Sequence, residues 1–550
     1  MNMRLFRERN AFLVVMVFFV LLNTFDAVLS FGGQAEDLPP IKLFLYSCWV
    51  AIRNIASHTF LATSLVFILG RFSRWILIPL FVICVFIESA VVYTWHVFHA
   101  SLAEIWVELL KNTSYSEICG FLSMSANMCS ISLMIGLCVI VALFIYLVFN
   151  ARYPKRSKQS ILFGVLCCLP FFVLNCLLMN WHFGMVQTRY TSFVISTMLS
   201  SKRMKGVHQA CRNESLPLVR VKDRAPDVII VLGESASSKD WHLYGYPRST
   251  TPYMDKLNAT GKLVTYRDVV GVHPETVGAL SLLLTDVSFD SLETGNWTLA
   301  GVYAKAGYRC VLISQQGSAT DKSSTLYNIF NGCEKRLSVF HENGDAKAFD
   351  EKTIPLLEDE LNVHDNRPNL IFIHLAGMHY PVQDVIPHGE DYFSDDIESD
   401  VLQGNDARMR DRINRYDNAI RYEDKVLGGI IGVLEKRERA TAFFFISDHG
   451  ESPRAEGWRD YHDEDIYCLP AIFWFSDEYR KMFPEKVLAF ENAAIRPIQS
   501  DEMTYGLLEL GCIQSEFTND SKVNFLCEGF KGRHPRLINK GRIKLKRDME

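Results

Sequence analysis

Thr441-Ala-Phe-Phe-Phe-Ile-Ser447, followed at once by Asp448-His449-Gly450-Glu451, decides the fold class of this chain. Apolar residues at successive positions, without the alternation of a half-exposed strand, suit a strand covered on both faces, as in a parallel sheet between helix layers. Similar runs recur around it: Asp227-Val-Ile-Ile-Val-Leu-Gly233, Tyr308-Arg-Cys-Val-Leu-Ile-Ser-Gln315, Asn369-Leu-Ile-Phe-Ile-His-Leu-Ala376 and Ala471-Ile-Phe-Trp-Phe-Ser-Asp477. Between two of them, Ile413, Tyr416, Ile420, Leu427, Ile431 and Leu434 recur at helical spacing and predict an amphipathic covering helix. The expectation is an α/β domain with a mostly parallel central sheet covered by helices.

Polar residues fall where these runs end. Glu234 follows the first strand, His374 and His379 the third, and Asp448-His449 the fourth. Ligands of open α/β sheets sit outside the carboxyl ends of the strands, so these residues are expected to converge. Carboxylate oxygen and neutral imidazole nitrogen are ordinary zinc ligands, Gly450 permits a sharp bend, and His462 lies a short loop away. Taken singly, each is equally a capping Asp or a surface His. The set on successive strand ends points to a metal site.

Outward from this domain the composition changes. The whole chain has 550 residues, 22% charged and 49% hydrophobic, with a formal net charge of -5, which excludes a disordered chain or a small disulfide scaffold. A near-neutral balance with no long basic run argues against a nucleic-acid partner. Residues 1–200 are dense in Phe, Leu, Val and Ile, whereas 201–550 carry most of the charge. A bilayer core needs about 20 apolar residues as helix, and five candidate spans are present: 11–31, 42–70, 74–97, 126–149 and 160–181. The second contains Arg53 and His58, which leaves Thr59–Gly70 as its apolar centre.

Arg4, Arg7 and Arg9 precede the first span, read as an uncleaved signal anchor rather than a signal peptide. Arg71 and Arg74 follow the second and Arg152, Lys155, Arg156 and Lys158 the fourth, while Gly32–Pro40 has no Lys or Arg. This asymmetry puts the N-terminus inside and residues 182–550 outside after five crossings. The expected organisation is a transmembrane domain over 1–181, a juxtamembrane linker over 182–225 and an outer catalytic domain over 226–550. Asp26, Glu88, His96 and His99 lie in or near the spans and are candidates for a pathway or a lipid contact. Cys211, Cys310, Cys333, Cys468, Cys512 and Cys527 form an even set in a domain expected to face an oxidising compartment. Sequence neighbours suggest pairing Cys310 with Cys333 and Cys512 with Cys527. The basic tail from Arg533 to Arg547 reads as solvated, or as a holder of anionic saccharide or lipid phosphate.

Six motifs in order, Gly233-Glu234-Ser235, Tyr244-Gly-Tyr-Pro-Arg-Ser-Thr-Thr-Pro252, Ser314-Gln-Gln316, His374-Leu-Ala-Gly-Met-His379, Tyr416-Asp-Asn418 and Ser447-Asp-His-Gly-Glu451, resemble the bacterial phosphoethanolamine transferases. These are inner-membrane enzymes of the alkaline phosphatase superfamily, among them lipid A modifying and mobile colistin-resistance enzymes. The resemblance covers nearly the whole chain, because that family has five membrane helices ahead of a periplasmic alkaline-phosphatase/sulfatase-like domain. It implies Zn2+ held by Glu234, Asp448 and His449, with Thr276 as a nucleophile that also touches the metal. It further implies that His379 and His462 bind the phosphoryl group or a second zinc, that Glu451 is a substrate-proximal carboxylate, and that Gln315 stands where the family often has a substrate-binding Asn. Thr276 is aligned on apolar spacing: with Leu280 and Leu284 it falls on one helical face, in a first turn suited to an anion. Thr265, His273 and Thr285 are the other candidates. The small polar run and the cysteines found around the nucleophile in other members are missing, and the loop from His462 to Ala471 is short, which puts acceptor preference in doubt.

The implied donor is phosphatidylethanolamine, met at the membrane, and the acceptor a lipopolysaccharide (lipid A or core sugar) or a periplasmic glucan, with the enzyme a monomer in the Gram-negative inner membrane. A metal can lower the pKa of bound water from about 15.7 to about 7, and an alcohol at the same metal should respond similarly, which would activate the threonine. Competing readings are a phosphoglycerol transferase of the same superfamily and an inactive membrane-bound binding or sensory protein. A sulfatase proper is disfavoured, because no Cys-x-Pro-x-Arg is present.

Overall fold

In the computed structural model the chain forms two compact units, Met1–Leu110 with Ile118–Met198, and Lys111–Glu117 with Leu199–Glu550. The structure describes residues 11, 14, 17–18, 60–83, 85–86, 128–179, 205–221, 224–289, 294–320, 322, 324–339, 349–379, 382, 385–394, 400–454, 461–539, 541 and 543–549.

The described residues of the first unit are mostly helical. Among the described residues one helical run, Phe60–Ile83, is long and apolar enough to cross a bilayer, so five crossings are matched only in part. The run is interrupted by the four-residue 3-10 turn Gly70–Ser73, where Gly70 takes φ +55 and the Ser73 hydroxyl donates to the Gly70 carbonyl at 2.7 Å. The interruption falls between the expected second and third spans. Helices Met128–Phe149 and Lys158–Met179, each 22 residues, coincide with the expected fourth and fifth, although their described apolar stretches, Ile135–Phe149 and Lys158–Leu169, are shorter than a full span. A small core of Val66, Leu77, Phe81, Phe144 and Val148 joins the Phe60–Ile83 run to the Met128–Phe149 helix. Most of the first span, the front of the second, and Asp26, Glu88, His96 and His99 lie outside the described residues.

The second unit is built on one large sheet. A short strand β1 (Val219–Val221) pairs outside it with Ile513–Ser515. Strands β2 (Asp227–Gly233), β3 (Leu263–Val270), β4 (Arg309–Ser314), β5 (Lys335–Ser338), β6 (Asn369–His374), β7 (Thr441–Ser447), β8 (Cys468–Phe475) and β9 (Ile498–Gln499) lie in the order β5-β4-β6-β2-β7-β8-β3-β9. Side chains alternate between two cores: Val228, Ile230, Leu232, Phe444 and Ile446 on one face, Ile229, Val231, Phe443 and Phe445 on the other. The Ala407–Glu435 helix covers the second face, burying Ile413, Tyr416, Ile420, Leu427, Ile431 and Leu434 as their spacing predicts.

The sheet is mostly parallel, but β8 runs antiparallel to both β7 and β3. A parallel return needs a crossover of a dozen or more residues, usually a helix. The described residues between β7 and β8 hold only the 3-10 turn Glu464–Tyr467, and the chain re-enters the sheet from the end it had just left. Strands β3, β5 and β9 were not expected, because Arg267 and Asp268 interrupt the first, the second is Lys-Arg-Leu-Ser and the third has two residues.

Among the described residues no disulfide joins the six cysteines of the second unit. Closeness in sequence did not set pairing: Cys512 is buried at a left-handed turn (φ 54), whereas the Cys527 thiol donates to the Thr518 carbonyl at 3.4 Å. The basic tail is solvated only in part: Lys544, Lys546 and Arg547 are exposed, whereas Arg533 and Arg536 are held by carboxylates. Arg533 pairs with Asp501 at 3.1 Å, and Arg536, 2% exposed, is held at 2.8 Å by both Asp268 and Asp548. Gln499 in β9 exchanges two hydrogen bonds with the Leu537 backbone, at 2.9 and 3.1 Å.

Candidate active site

β2 and β7 are parallel neighbours with Gly233 opposite Ser447, so Glu234 and Asp448 leave the sheet side by side. Glu234, Asp448 and His449 are all buried, and one ligand atom from each lies within 4.8 Å of the others. His449 Nδ1 is 3.0 Å from the Gly450 carbonyl, which can only accept, so that nitrogen carries the hydrogen. Nε2 lies 3.4 Å from Glu234 Oε1 and 3.3 Å from Asp448 Oδ2, a position from which its lone pair could face a cation. Asp448 Oδ1 accepts from the Ser235 amide at 3.0 Å and the His449 amide at 2.7 Å, while buried Oδ2 has no hydrogen-bond partner among the described residues. Two carboxylates and an imidazole around an unsatisfied buried oxygen fit a divalent cation of the zinc type.

The electrostatics agree. Burial and the neighbouring Glu234 carboxylate push the Asp448 carboxyl well above its usual range. Burial acts in the same direction on Glu234, but His449, His379 and hydrogen bonds from Ser235 and Gln316 outweigh it and hold that carboxyl low.

The backbone beneath is strained and braced. Ser235 sits at φ +61, a conformation that costs a non-glycine residue about 1–3 kcal/mol and persists only when its surroundings over-determine it. The Ser235 hydroxyl donates to Glu234 Oε1 at 2.7 Å, and its carbonyl accepts from the Tyr416 hydroxyl at 2.7 Å. Tyr416 also accepts from the Ser237 amide at 2.9 Å. Its sequence neighbours extend the brace: Asp417 takes Arg248 at 2.7 Å and the Tyr246 hydroxyl at 3.0 Å, and Asn418 accepts from the Tyr392 and Phe393 amides. From the β6 side, Asp350 accepts the Ala376 and Gly377 amides, and the Met378 amide donates to the Glu234 carbonyl at 3.0 Å.

Thr276 opens a nine-residue helix, Thr276–Leu284, behind an extended Glu275. Its hydroxyl donates to Glu234 Oε2 at 3.0 Å. The His273 ring packs under this first turn so closely that a Cβ on Gly278 would lie 2.3 Å from it. Of the other candidates, Thr265 points to Asn258, Thr285 donates back to the Ser281 carbonyl, and His273 bonds the Glu275 backbone. Thr276 is thus tied by a hydrogen bond to a member of the three-residue group.

With this arrangement in view, a family profile described as Sulfatase matches residues 226–511. The chain belongs to the sulfatase family. Among its relatives are phosphoethanolamine transferase EptA of Helicobacter pylori, 26% identical over 67% of this chain and 70% of that protein, and phosphoethanolamine transferase EptC of Escherichia coli K12, 27% identical over 49% of each. The chain thus matches about half the length of the second relative. In structure it is similar to the integral membrane protein lipooligosaccharide phosphoethanolamine transferase A of Neisseria meningitidis, with a TM-score of 0.62 at 16% identity over 92% of this chain and 98% of that one. It is also similar to the periplasmic domain of E. coli EptC crystallised with Zn, with a TM-score of 0.54 at 24% identity over 59% and 93%. These likenesses give the fold, and at the level of family they meet the expectation of a phosphoethanolamine transferase of the alkaline phosphatase superfamily.

Not every residue singled out in this sulfatase-family chain joins the group. Gln316, rather than Gln315, reaches it: Gln316 Nε2 donates to Glu234 Oε2 at 3.0 Å and to the Leu375 carbonyl at 3.1 Å. Gln315 is buried, its amide donating to the His374 carbonyl at 2.8 Å. In an extended stretch leaving β4, neighbours face opposite ways, so a one-residue choice between two glutamines decides which one faces Glu234. His379 is half-buried on the loop after β6, close enough for its charge to act on Glu234. His374 is fully buried, its Nδ1 3.3 Å from the Ser314 hydroxyl, and burial lowers its pKa to about 4. Glu451 is buried near Arg412 and Tyr416, and His462 is exposed on the loop before β8. Neither belongs to the three-residue group. The bracing by Ser235 and Asp350 was missed, since nothing in their sequence marks a left-handed serine or a buried aspartate that receives two amides.

Proposed function

We propose that this protein transfers phosphoethanolamine from phosphatidylethanolamine to a saccharide of the cell envelope, a lipopolysaccharide or a periplasmic glucan, through a covalent intermediate on Thr276. The observation that carries the reading is the Thr276 hydroxyl at the first turn of its helix, hydrogen-bonded to a carboxylate that shares a buried ligand group with Asp448 and His449. The family of the chain and the names of its relatives support the donor group. Glu234, Asp448 and His449 would hold a zinc ion, which lowers the pKa of a nearby hydroxyl and neutralises developing phosphoryl charge.

The residues of the chain do the rest. Glu234 Oε2 accepts the hydrogen bond that aims Thr276 Oγ1. Free amides at the start of the Thr276–Leu284 helix favour an anionic phosphoryl group. Thr276 Oγ1 bonds to phosphorus, the bond from phosphorus to the diacylglycerol oxygen breaks, and that oxygen leaves with the proton threonine gave up. An acceptor hydroxyl then attacks the same phosphorus, the bond to Thr276 breaks, and the proton returns to threonine. His379, beside Glu234 on the loop after β6, is assigned to the phosphoryl group, and His462 and Glu451 to the substrate side.

Incubation with phosphatidylethanolamine and no acceptor should add one phosphoethanolamine to the Thr276 peptide and release diacylglycerol in a single burst. Thr276→Ala should lose both and Thr276→Ser should retain part, because a primary hydroxyl can take the same place. An adduct on His273, or transfer without any adduct, would overturn the scheme. An adduct formed from phosphatidylglycerol alone would change the donor.

A further inference from the structure

We propose that the first unit carries a separate binding site for the phosphate of an anionic phospholipid, formed where its helices turn. A cavity of 470 Å³ there is lined by Gly70, Arg71, Arg74, Tyr153, Lys155 and Arg156 among others, and no Asp or Glu lines it. Four cations around one concavity repel one another unless an anion joins them. The Arg74 guanidinium stands over the Trp75 and Phe149 rings, 5.4 and 4.9 Å from their centroids, which holds its plane in place. Its Nε is buried and has no hydrogen-bond partner among the described residues. A buried guanidinium donor of this kind matches a phosphate oxygen.

The surroundings select a lipid as the source of that phosphate. Phe72, Trp75 and Ile76, next to the cavity cations, are 58%, 61% and 45% exposed, an apolar edge suited to acyl chains with an aromatic at the interface. Cations that gather at the end of apolar helices favour lipids of net negative charge over zwitterionic ones. Gly70 is needed for the geometry: its left-handed conformation lets the chain turn so that Arg71 and Arg74 both line the cavity. The site is independent of the outer ligand group and of the donor assigned to it.

The test uses the full chain, loaded with zinc, in detergent. Retention of phosphatidylglycerol and of phosphatidylcholine is measured by native mass spectrometry. About one phosphatidylglycerol per chain should be retained, preferred over phosphatidylcholine about tenfold or more. R71Q/R74Q should lose that preference, while R152Q, next to the cavity but not lining it, should keep it. Unchanged zinc content in the variants shows that the outer unit is folded. R74K, which keeps the charge and loses the buried Nε, should weaken retention less than the double variant, so the site stays testable if R71Q/R74Q does not fold. Equal retention of both lipids, an equal loss in R152Q, or no loss in either Arg74 variant would overturn the site. Displacement of the lipid by millimolar inorganic phosphate would overturn the lipid as occupant and leave a free-anion site.

Discussion

At the scale of single residues, the ligand group depends on hydrogen bonds around Glu234. Its carboxylate accepts from Ser235, Thr276 and Gln316, so three side chains orient one ligand. Outer-shell partners of this kind change metal affinity about 10–100-fold when removed. Gln316→Ala should therefore weaken zinc binding by about that factor while the chain stays folded, as measured by metal titration against a competing chelator, whereas unchanged affinity would remove Gln316 from the site. Glu234, Asp448 and His449 were legible because each directly follows an apolar run, and a strand end is a place a reader can find. Gln316 was not, because the sequence offers two adjacent glutamines and only the local backbone decides which one faces Glu234. The left-handed Ser235 was hidden for a related reason: its conformation is imposed by Asp448 and Tyr416, residues roughly two hundred positions away in the chain.

At the scale of elements, Thr276 is placed by its helix, and the helix is seated on His273. A Cβ at Gly278 would meet that ring at 2.3 Å, so Gly278→Ala forces the first turn and the His273 ring apart. Overpacking of this sort costs about 1–3 kcal/mol, and a displacement near 1 Å at a reacting group costs about 100-fold in rate. Gly278→Ala should thus depress the diacylglycerol burst strongly with Thr276 still present, together with a modest fall in melting temperature. A full burst would mean that His273 moves instead. The long covering helix and the buried central strands were readable because their apolar period is unambiguous. The direction of β8 was not, since an apolar run reads the same either way. What decides it is the connection, which lacks a crossover helix among the described residues. Edge strands escaped for the opposite reason: partial exposure leaves β5 with Lys335 and Arg336, a composition that resembles a loop.

At the scale of the whole second unit, buried carboxyls set a pH dependence. Burial is the leading cause that raises Asp240 and Asp350 to about 6, and Asp417 and Asp424 to about 7, from an ordinary 3.8. The folded chain keeps these protons between about pH 4 and pH 7 while the unfolded chain has released them, so stability falls as pH rises through that window. His374, lowered to about 4, acts oppositely over part of it, one group against four. Below that window the sign reverses, because hydrogen bonds from Arg367 hold Asp365 at about 2 and that stabilisation is lost as pH falls. With metal chelated, hydrogen exchange in the sheet strands should show greater protection near pH 5 than near pH 7.5. Restoring zinc should shrink the difference, because its ligands must lose protons to bind. Greater protection at the higher pH without metal would contradict these assignments.

The two borders of the sheet bear on how copies of this protein meet. One border, β5, is four residues long and begins with two cations; the other, β9, is two residues long and is stitched by Gln499 to the Leu537 backbone of the returning tail. An open border of unpaired amides is a template on which a second chain can add its own strand. Here each is too short or too charged for that. Arg536, gripped between Asp268 and Asp548, acts as the fastener that keeps the tail folded back on the β3 side. Crowding would bring such molecules together without either border of the large sheet offering a seam along which to fuse.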